Sequence, residues 1–297
     1  MARISKLEVS AVNLRIPQDK ERDYPALIQS LVAQRAAAKV HGETFVAITR
    51  YDPETGFGTI SKYSEIDVDG DWFDIESFET ADPSEVEKVT IPEKLRPNLS
   101  TFDFYLDSKM HILIFETYSV SKTLSAGSFN KYLTNVLSRA EVKSEFGKVE
   151  CDIVKNIEEV DRILKLETLK ELTILIKRPN PDGIPPDLAS EIEEALVEQN
   201  AEELERRLKS KDSDGLKPND RTRNLAFIAV DNGEVEAKAL ENGVLVRHST
   251  KEKPFIETET YSRDEEVTSV IFRRLVDRVQ VKIKQLREKL GGTHNIA

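Results

Sequence analysis

The side chains with the most obvious chemical potential lie in one acidic stretch of the chain. Residues 51–87 contain 12 carboxylates and a single basic residue, Lys62, so this window has a formal charge of −11 and the rest of the chain is formally neutral. Its most closely spaced acids are Asp67, Asp69, Asp71, Asp74 and Glu76. Carboxylates at short spacing are the side chains that bind Ca²⁺ in a loop or paired Mg²⁺ in a nuclease.

The spacing of these acids does not match a calcium-binding loop. Such a loop needs glycine at its sixth position and glutamate at its twelfth, where this chain has Trp72 and Phe78. We therefore predict no metal site and interpret the stretch as an acidic surface. A metal-dependent nuclease that uses Asp67, Asp69, Asp71 and Glu76 is kept as the third hypothesis.

Residues for nucleophilic catalysis are scarce. The only cysteine, Cys151, lies in an alternating strand pattern and is predicted to be a structural thiol. His248 precedes Ser249 and Thr250, but neighbours in sequence rarely form a triad. No nucleotide-binding or hydrolase motif is present in the sequence. We predict no catalytic residues and no cofactor.

The last predicted helix, residues 267–290, is rich in basic residues. It contains seven basic and two acidic side chains. Basic side chains along one helix can contact the phosphates of a nucleic acid. The predicted nucleic-acid-binding residues are Arg273, Arg274, Arg278, Lys282 and Lys284.

The same helix carries an apolar heptad seam. Its members, the predicted dimer interface, are Phe272, Val276, Val279, Ile283, Leu286 and Leu290. The alternative is a helix packed on its own sheet, and Ile271 and Leu275 widen the stripe in that direction. Both arrangements bury the same residues, so the sequence leaves them open.

The elements that position these residues indicate an α+β fold with largely antiparallel sheets. Alternation and turn signals predict strands at residues 6–15, 43–51, 56–66, 101–106, 111–117, 148–155, 171–177, 224–230, 234–240 and 244–248. Periodicity and capping residues, including Ser128 as an N-cap, predict helices at residues 24–40, 128–139, 158–166, 187–209 and 267–290. The run 171–177 is nearly all apolar, which predicts a strand buried on both faces.

Two regions are predicted. Residues 1–145 form an N-terminal region with an acidic loop segment at 67–98, and residues 146–297 form a C-terminal region, with one continuous domain as the alternative. Apolar residues make up 39% and charged residues 33% of the chain, which is typical of a soluble globular protein. No apolar run approaches a membrane span, and no secretory signal is evident. We expect a cytoplasmic protein without membrane contact.

Four sequence blocks are similar to an uncharacterised bacterial family whose signature is a strand ending in an RPNPD turn. The blocks are residues 101–116, 163–183, 224–239 and 248–255. More distantly, the order of the C-terminal half resembles the lambda phage-exclusion protein RexA, which is similar in architecture to the DNA-binding dimer RdgC. This resemblance implies a non-enzymatic dimer that binds nucleic acid in phage exclusion or defence, and it implies no active-site residues.

Three functional hypotheses follow. The first is a RexA-like homodimer that binds nucleic acid through the basic terminal helix, with a partner protein from a defence operon. The second is an interaction or inhibitory protein that uses residues 51–87 as a docking or nucleic-acid-mimicking surface. The third is the metal-dependent nuclease described above.

Overall fold

The structure, a computed structural model, describes residues 3–17, 19–68, 70–177 and 186–292. The side chains of 186–190 and 286–292 lie outside the described part.

The described chain contains both helices and strands in a mixed order. The strands are β1 (Ile4–Arg15), β2 (Ala37–His41), β3 (Thr44–Tyr51), β4 (Phe57–Ser64), β5 (Phe73–Asp74), β6 (Glu79–Thr80), β7 (Ser100–Asp107), β8 (Ile112–Ser119), β9 (Lys122–Thr123), β10 (Glu150–Ile153), β11 (Leu169–Lys177), β12 (Glu203–Lys209), β13 (Gly233–Glu241), β14 (Val244–Ser249) and β15 (Glu257–Ser262). The helices are α1 (Tyr24–Ala33), α2 (Pro83–Val86), α3 (Ala126–Leu137), α4 (Ala140–Phe146), α5 (Ile157–Leu164), α6 (Pro186–Glu198), α7 (Asp220–Asn232) and α8 (Thr268–Gly292).

The larger sheet has nine strands in the order β10-β1-β8-β7-β4-β3-β2, with β15 on β1 and β9 on β8. Its longest strand, β1, pairs with β8 along one edge. The other edge of β1 pairs with β15 through residues 4–9 and with β10 through residues 12–15. Strands from both predicted regions therefore share this sheet, which runs across the predicted boundary at 145/146.

The smaller sheet has the order β12-β11-β13-β14, and every described strand pair in both large sheets is antiparallel. This confirms the α+β class with antiparallel sheets. In β11, Leu172, Ile174 and Ile176 are buried and alternate with half-buried residues. The prediction of a strand buried on both faces is therefore wrong, because a hydrophobic run of this kind can also cover one face of a small sheet.

Two hydrophobic cores lie on opposite faces of the larger sheet. One core joins the sheet to α1, α3 and α4 through residues such as Leu31 and Phe129. The other core joins the opposite face to α5, α7, α8 and the smaller sheet through residues such as Leu172 and Phe272. The terminal helix is thus part of the second core.

The segment 224–230, predicted as a strand, lies within α7. This helix contacts β1 and β10 of the larger sheet and β11 and β13 of the smaller one, and Ala226, Ile228, Ala229 and Val230 are all buried. Toward its N-terminal end Arg221, Arg223 and Asn224 are exposed or half-buried, whereas in residues 225–230, which pack against the sheets, only Phe227 is half-buried. An enclosed helical segment of this kind carries no polar stripe. Its sequence therefore resembles a buried strand.

Three other predicted helices differ at their boundaries. The predicted helix 24–40 ends at Ala33, because Arg35 adopts a left-handed φ of 48° and starts the turn into β2. The predicted helix 187–209 ends at Glu198, with Asn200 left-handed at φ 50°, and the chain continues as β12. The N-cap of α3 is Ser125, whose hydroxyl accepts the backbone N–H of Ser128.

Candidate interaction surfaces

The apolar seam of α8 faces the interior of this chain. The helix contacts β1, β7, β8 and β15, and Phe272, Val276, Val279 and Ile283 are 3% exposed or less within a single chain. The predicted dimer interface on these four residues is therefore corrected, because a seam already covered by its own sheet cannot also face a second copy. The side chains of Leu286 and Leu290 lie outside the described residues.

Three of the predicted nucleic-acid-binding side chains form ion pairs within the chain. Arg274 pairs with Glu259 and Glu266, and Arg278 pairs with Glu259 and, at 3.6 Å, with Glu257. Lys282 donates to Glu257 at 2.5 Å. Glu257 and Glu259 belong to β15, so these charges join the helix to the sheet beneath it. Phosphate binding would have to compete with these carboxylates.

The other two predicted binding residues are placed differently. Arg273 lies over the ring of Phe57, with its guanidinium carbon 5.1 Å from the ring centroid, and forms no ion pair within the described residues. Lys284 is exposed on the outer side of the helix. The basic face predicted from the sequence thus has three of its five cations engaged in ion pairs with Glu257, Glu259 and Glu266.

A second surface is formed by the segment between β4 and β7, residues 65–99, which we call the acidic arm. The two strands are neighbours in the larger sheet, with Lys62 paired to Ser100. Neighbouring antiparallel strands are normally joined by about 2–5 residues, whereas this connection has 35. Connections of such length in a compact fold usually carry function.

The base of the acidic arm is held to the sheet by several hydrogen bonds. The Ser64 N–H donates to Pro97 O at 3.0 Å, and the Asn98 side-chain amide donates to the Ser64 hydroxyl at 3.3 Å. Arg96 and Glu65, at opposite ends of the arm, form an ion pair at 2.9 Å. These contacts fix where the arm leaves the fold.

The tip of the acidic arm exposes large apolar side chains. The short strands β5 and β6 form a hairpin, and Phe73 and Phe78 pack edge to face with ring centroids 5.3 Å apart. Phe73, Ile75 and Phe78 are 59%, 80% and 79% exposed. Ile66, Val68, Val89, Leu95 and Leu99 are also exposed. Exposed large apolar side chains that lie together, as Phe73 and Phe78 do, are typical of an interaction site.

Charge surrounds this apolar tip. The acidic arm contains 11 acidic and three basic residues, a formal charge of −8. Asp74 accepts hydrogen bonds from Glu76 N at 2.8 Å and from the Ser77 hydroxyl at 2.9 Å, which lower its pKa. Asp82 caps α2 through Ser84, whose hydroxyl and N–H lower the pKa of Asp82. Both carboxylates are charged at neutral pH.

The acids of this segment do not assemble a metal site in the part of the chain that the structure describes. No group of three or more His, Cys, Asp or Glu side chains there is arranged to hold a metal ion. Asp67, Asp71 and Glu76 are described, and Asp69 lies outside the described residues. Asp74 is engaged in its own turn, as described above.

The candidate nucleophile and base are both in structural contacts. Burial raises the pKa of Cys151 to about 11, so its thiol is neutral. The ring of His248 lies between Glu241, at 2.9 Å from Nε2, and Arg162, at 3.0 Å from Nδ1. Neither Ser249 nor Thr250 hydrogen bonds to that ring among the described contacts.

Sequence analysis missed the buried charged groups of the strands, of which Glu116 and Arg15 are the most buried. Glu116 of β8 is 3% exposed and accepts the backbone N–H of Asp103 at 3.1 Å, and burial raises its pKa to about 7. Arg15, the last residue of β1, is 6% exposed and donates to Asp152 of β10 at 2.5 Å. The available signal was a charged residue inside an apolar strand pattern, which predicts either an outward side chain or a buried polar contact.

Comparison with known proteins gives one family. No curated protein sequence matches the chain. No helix in the described residues is long and apolar enough to cross a membrane. The model of a domain of unknown function, DUF4747, matches residues 5–277, which extends from the first strand of the larger sheet, through the smaller sheet, into the first ten residues of α8. The chain therefore belongs to this DUF4747 family.

Proposed function

We propose that this protein is an interaction protein that binds a basic segment of a partner protein through the acidic arm. The observation that carries the proposal is the combination of exposed apolar residues and negative charge in one anchored 35-residue insertion. Central apolar side chains provide most of the affinity of such interfaces, and the surrounding charge provides specificity and fast association.

The chemistry of the arm defines the partner. Phe73, Ile75 and Phe78 require an apolar surface, and the surrounding carboxylates require lysine or arginine around that surface. An amphipathic basic segment, such as a helix with one apolar and one basic face, meets both requirements. A nucleic acid meets neither, since its phosphates are repelled by a formal charge of −8.

The biological setting is proposed from the resemblance to RexA. In phage exclusion or defence, a basic partner is a protein that itself contacts nucleic acid, and the acidic arm would occupy its nucleic-acid-binding surface. This setting corresponds to the hypothesis of an inhibitory protein, with the acidic arm as its binding surface.

The test is affinity capture with three forms of the full chain. The arm variant carries Phe73→Ser, Ile75→Ser and Phe78→Ser. The control variant carries Val244→Ser and Leu245→Ser, which remove two apolar side chains of β14 that are 63% and 57% exposed. We expect a basic protein to be captured by the wild type and the control variant, to be lost with the arm variant and to elute at high salt. Capture that is unaffected by the arm variant, or lost equally with both, contradicts the proposal.

A second candidate function is nucleic-acid binding through the basic side chains of α8. It is favoured by Arg273, which forms no ion pair within the described residues. Under this candidate, binding to duplex DNA weakens steeply with salt and is reduced by Arg273→Gln more than by Arg278→Gln, since Arg278 is already paired. If the protein does not bind duplex DNA at low salt, this candidate function is excluded.

A further inference from the structure

The outer strand of the smaller sheet, β12, has one open edge. It pairs with β11 on one side, and among the described residues no other strand and no backbone hydrogen bond reaches its other side. None of the residues of β12 is buried. The unpaired N–H and C=O groups of an exposed edge strand can pair with a strand from another chain.

The charges on the outer face of this sheet alternate in sign from strand to strand. The outer face is the one opposite the buried residues Leu172 and Ile174 of β11. Arg207 of β12 donates to Glu171 of β11 at 2.8 Å, and Glu171 lies 3.5 Å from Nζ of Lys238 in β13. The residues of β12 on this face are Glu203, Glu205, Arg207 and Lys209. The alternation stops at β12, where the sheet ends.

The order of charges along β12 is complementary to itself when the strand is reversed. A two-fold axis perpendicular to the sheet at Arg206 places Glu203 opposite Lys209 of a second copy. The same axis places Glu205 opposite Arg207 of that copy. By symmetry each of these pairs occurs twice, so every outer charge of β12 faces an opposite charge. Opposite charges directly across two paired strands stabilise the pairing.

The inner face of β12 fits the same arrangement. Leu204, which is 37% exposed, lies opposite Leu208 of the second copy, so both leucines gain an apolar neighbour. Arg206 lies opposite its own copy at the axis and is the one like-charged pair of this register. Its long side chain can turn along the strand and keep the guanidinium in solvent.

Neither the neighbouring registers nor the other edge of the sheet gives this match. A symmetric antiparallel pair keeps outer side chains on the outer face only if the axis lies at a residue, so the neighbouring registers have the axis at Glu205 or at Arg207. Each of them places two identical charges opposite one another on the outer face. On β14, at the other edge, Arg247 and His248 already pair with glutamates of β13.

We propose that β12 pairs antiparallel with β12 of a second copy of this chain, so that the two smaller sheets form one continuous sheet across a two-fold axis. This interface differs from the one predicted on α8, whose described seam is covered by its own chain. It also lies outside the acidic arm, so the failure of either proposal leaves the other standing.

The experiment is analytical ultracentrifugation of the full chain over a range of concentrations. We expect the wild type to reach twice the mass of one chain. Glu203→Lys creates lysine–lysine contacts across the axis and Lys209→Glu creates glutamate–glutamate contacts, so each variant alone is expected to dimerise about tenfold more weakly. When the two variants are mixed, each contact again joins opposite charges, and we expect a mixed dimer with the affinity of the wild type.

The control separates this effect from a change in net charge. Glu252→Lys makes the same charge change at an exposed turn residue after β14 and is expected to dimerise like the wild type. Glu203 and Lys209 are exposed and form no ion pair among the described residues, and thermal unfolding checks that each variant is folded. A wild type that stays monomeric overturns the proposal. So does a dimer that Glu203→Lys and Lys209→Glu weaken no more than Glu252→Lys, or one that mixing the two variants does not restore.

Discussion

The terminal helix and the acidic arm are both charged segments that contain many apolar residues, but they differ in the burial of those residues and in the pairing of their charges. In α8 the described residues of the apolar seam, Phe272, Val276, Val279 and Ile283, are buried, and three of the cations pair with carboxylates of the same chain. In the acidic arm the apolar residues are exposed, and most of the charge is left without basic neighbours, with Lys88, Lys94 and Arg96 its only bases. A charge pattern alone therefore does not identify a binding surface.

The difference shows how a charged segment that stabilises the fold can be distinguished from one that is available for binding. A charged side chain beside an opposite charge from a neighbouring strand stabilises the fold, as Glu257 and Glu259 do for α8. A charged segment that is longer than its connection requires, and that holds apolar side chains in solvent, has no such structural role. The following predictions test this contrast, from the largest expected effect to the smallest.

The apolar seam of α8 gives the largest expected effect on stability. Phe272 is 1% exposed and packs against Phe57, so Phe272→Ala should lower the free energy of unfolding by about 3–5 kcal/mol. Phe78→Ala, at the exposed tip of the arm, should change it by less than about 0.5 kcal/mol. Urea denaturation followed by circular dichroism measures both. If the two variants lost equal free energy of unfolding, α8 and the acidic arm would not differ in their contribution to stability.

The pH dependence of stability should come from the core below α8. Glu116 lies on the face of β8 that carries Ile112 and Ile114, which belong to the same core as α8. Because the pKa of Glu116 is raised from 4.5 to about 7 in the folded chain, its neutral form is favoured there. Its contribution to stability is therefore present below pH 4.5 and is lost as pH rises through about 7, by about 3 kcal/mol in total.

The variant Glu116→Gln should remove this slope from denaturation curves recorded between acidic and neutral pH, and it should stabilise the protein relative to wild type above pH 7. Glu76→Gln, in the exposed arm, serves as the control and should leave the slope in place. A wild-type profile that rises across this interval, or a slope that persists in Glu116→Gln, would show that Glu116 ionises normally.

The ion pairs of α8 give a smaller effect. Arg278 is 38% exposed and Glu259 only 12%, so Arg278→Gln should destabilise the fold by about 1 kcal/mol. The pair between Lys88 and Glu85 in the arm is 71% exposed on both sides, and Lys88→Gln should cost at most about 0.3 kcal/mol. Thermal unfolding at low and high salt compares them. If the two substitutions had the same cost, the α8 ion pairs would not be structural.

Local signals predicted much of the fold. The hairpins β3–β4 and β7–β8 follow from alternation around polar turns, and α3 and α5 follow from periodicity with a cap. Three features of the fold could not be predicted from local sequence, because each depends on residues that are distant in the chain. Residues 225–230 of α7 are apolar because they pack against both sheets, β12 forms because β11 offers it an edge, and the seam of α8 is buried because it packs on β1 and β8.

The same limit applies to the candidate sites. The composition of the acidic arm was visible in the sequence, but its exposure was visible only once β4 and β7 were paired. The pairing of Arg274 and Arg278 with β15 was not predictable, because Glu259 alternates with other polar residues and nothing local indicates its partner. The pair of Arg15 and Asp152 brings together residues 137 positions apart, which only the tertiary fold can do.

One measurement tests the central claim most directly, and the chain supplies the probe. Its only tryptophan, Trp72, lies in the acidic arm beside Phe73. We would titrate the protein with two synthetic peptides of equal positive charge, one an amphipathic helix with a leucine face and one without leucine, and follow the emission of Trp72. Duplex DNA provides a parallel titration.

The account predicts a blue shift of Trp72 with the amphipathic peptide, about tenfold tighter than with the peptide that lacks leucine. The shift should be lost in the variant with Phe73→Ser and Phe78→Ser, and DNA should produce none. Equal binding of the two peptides, or a Trp72 signal that the arm substitutions leave unchanged, would contradict the claim that the arm is the interaction surface.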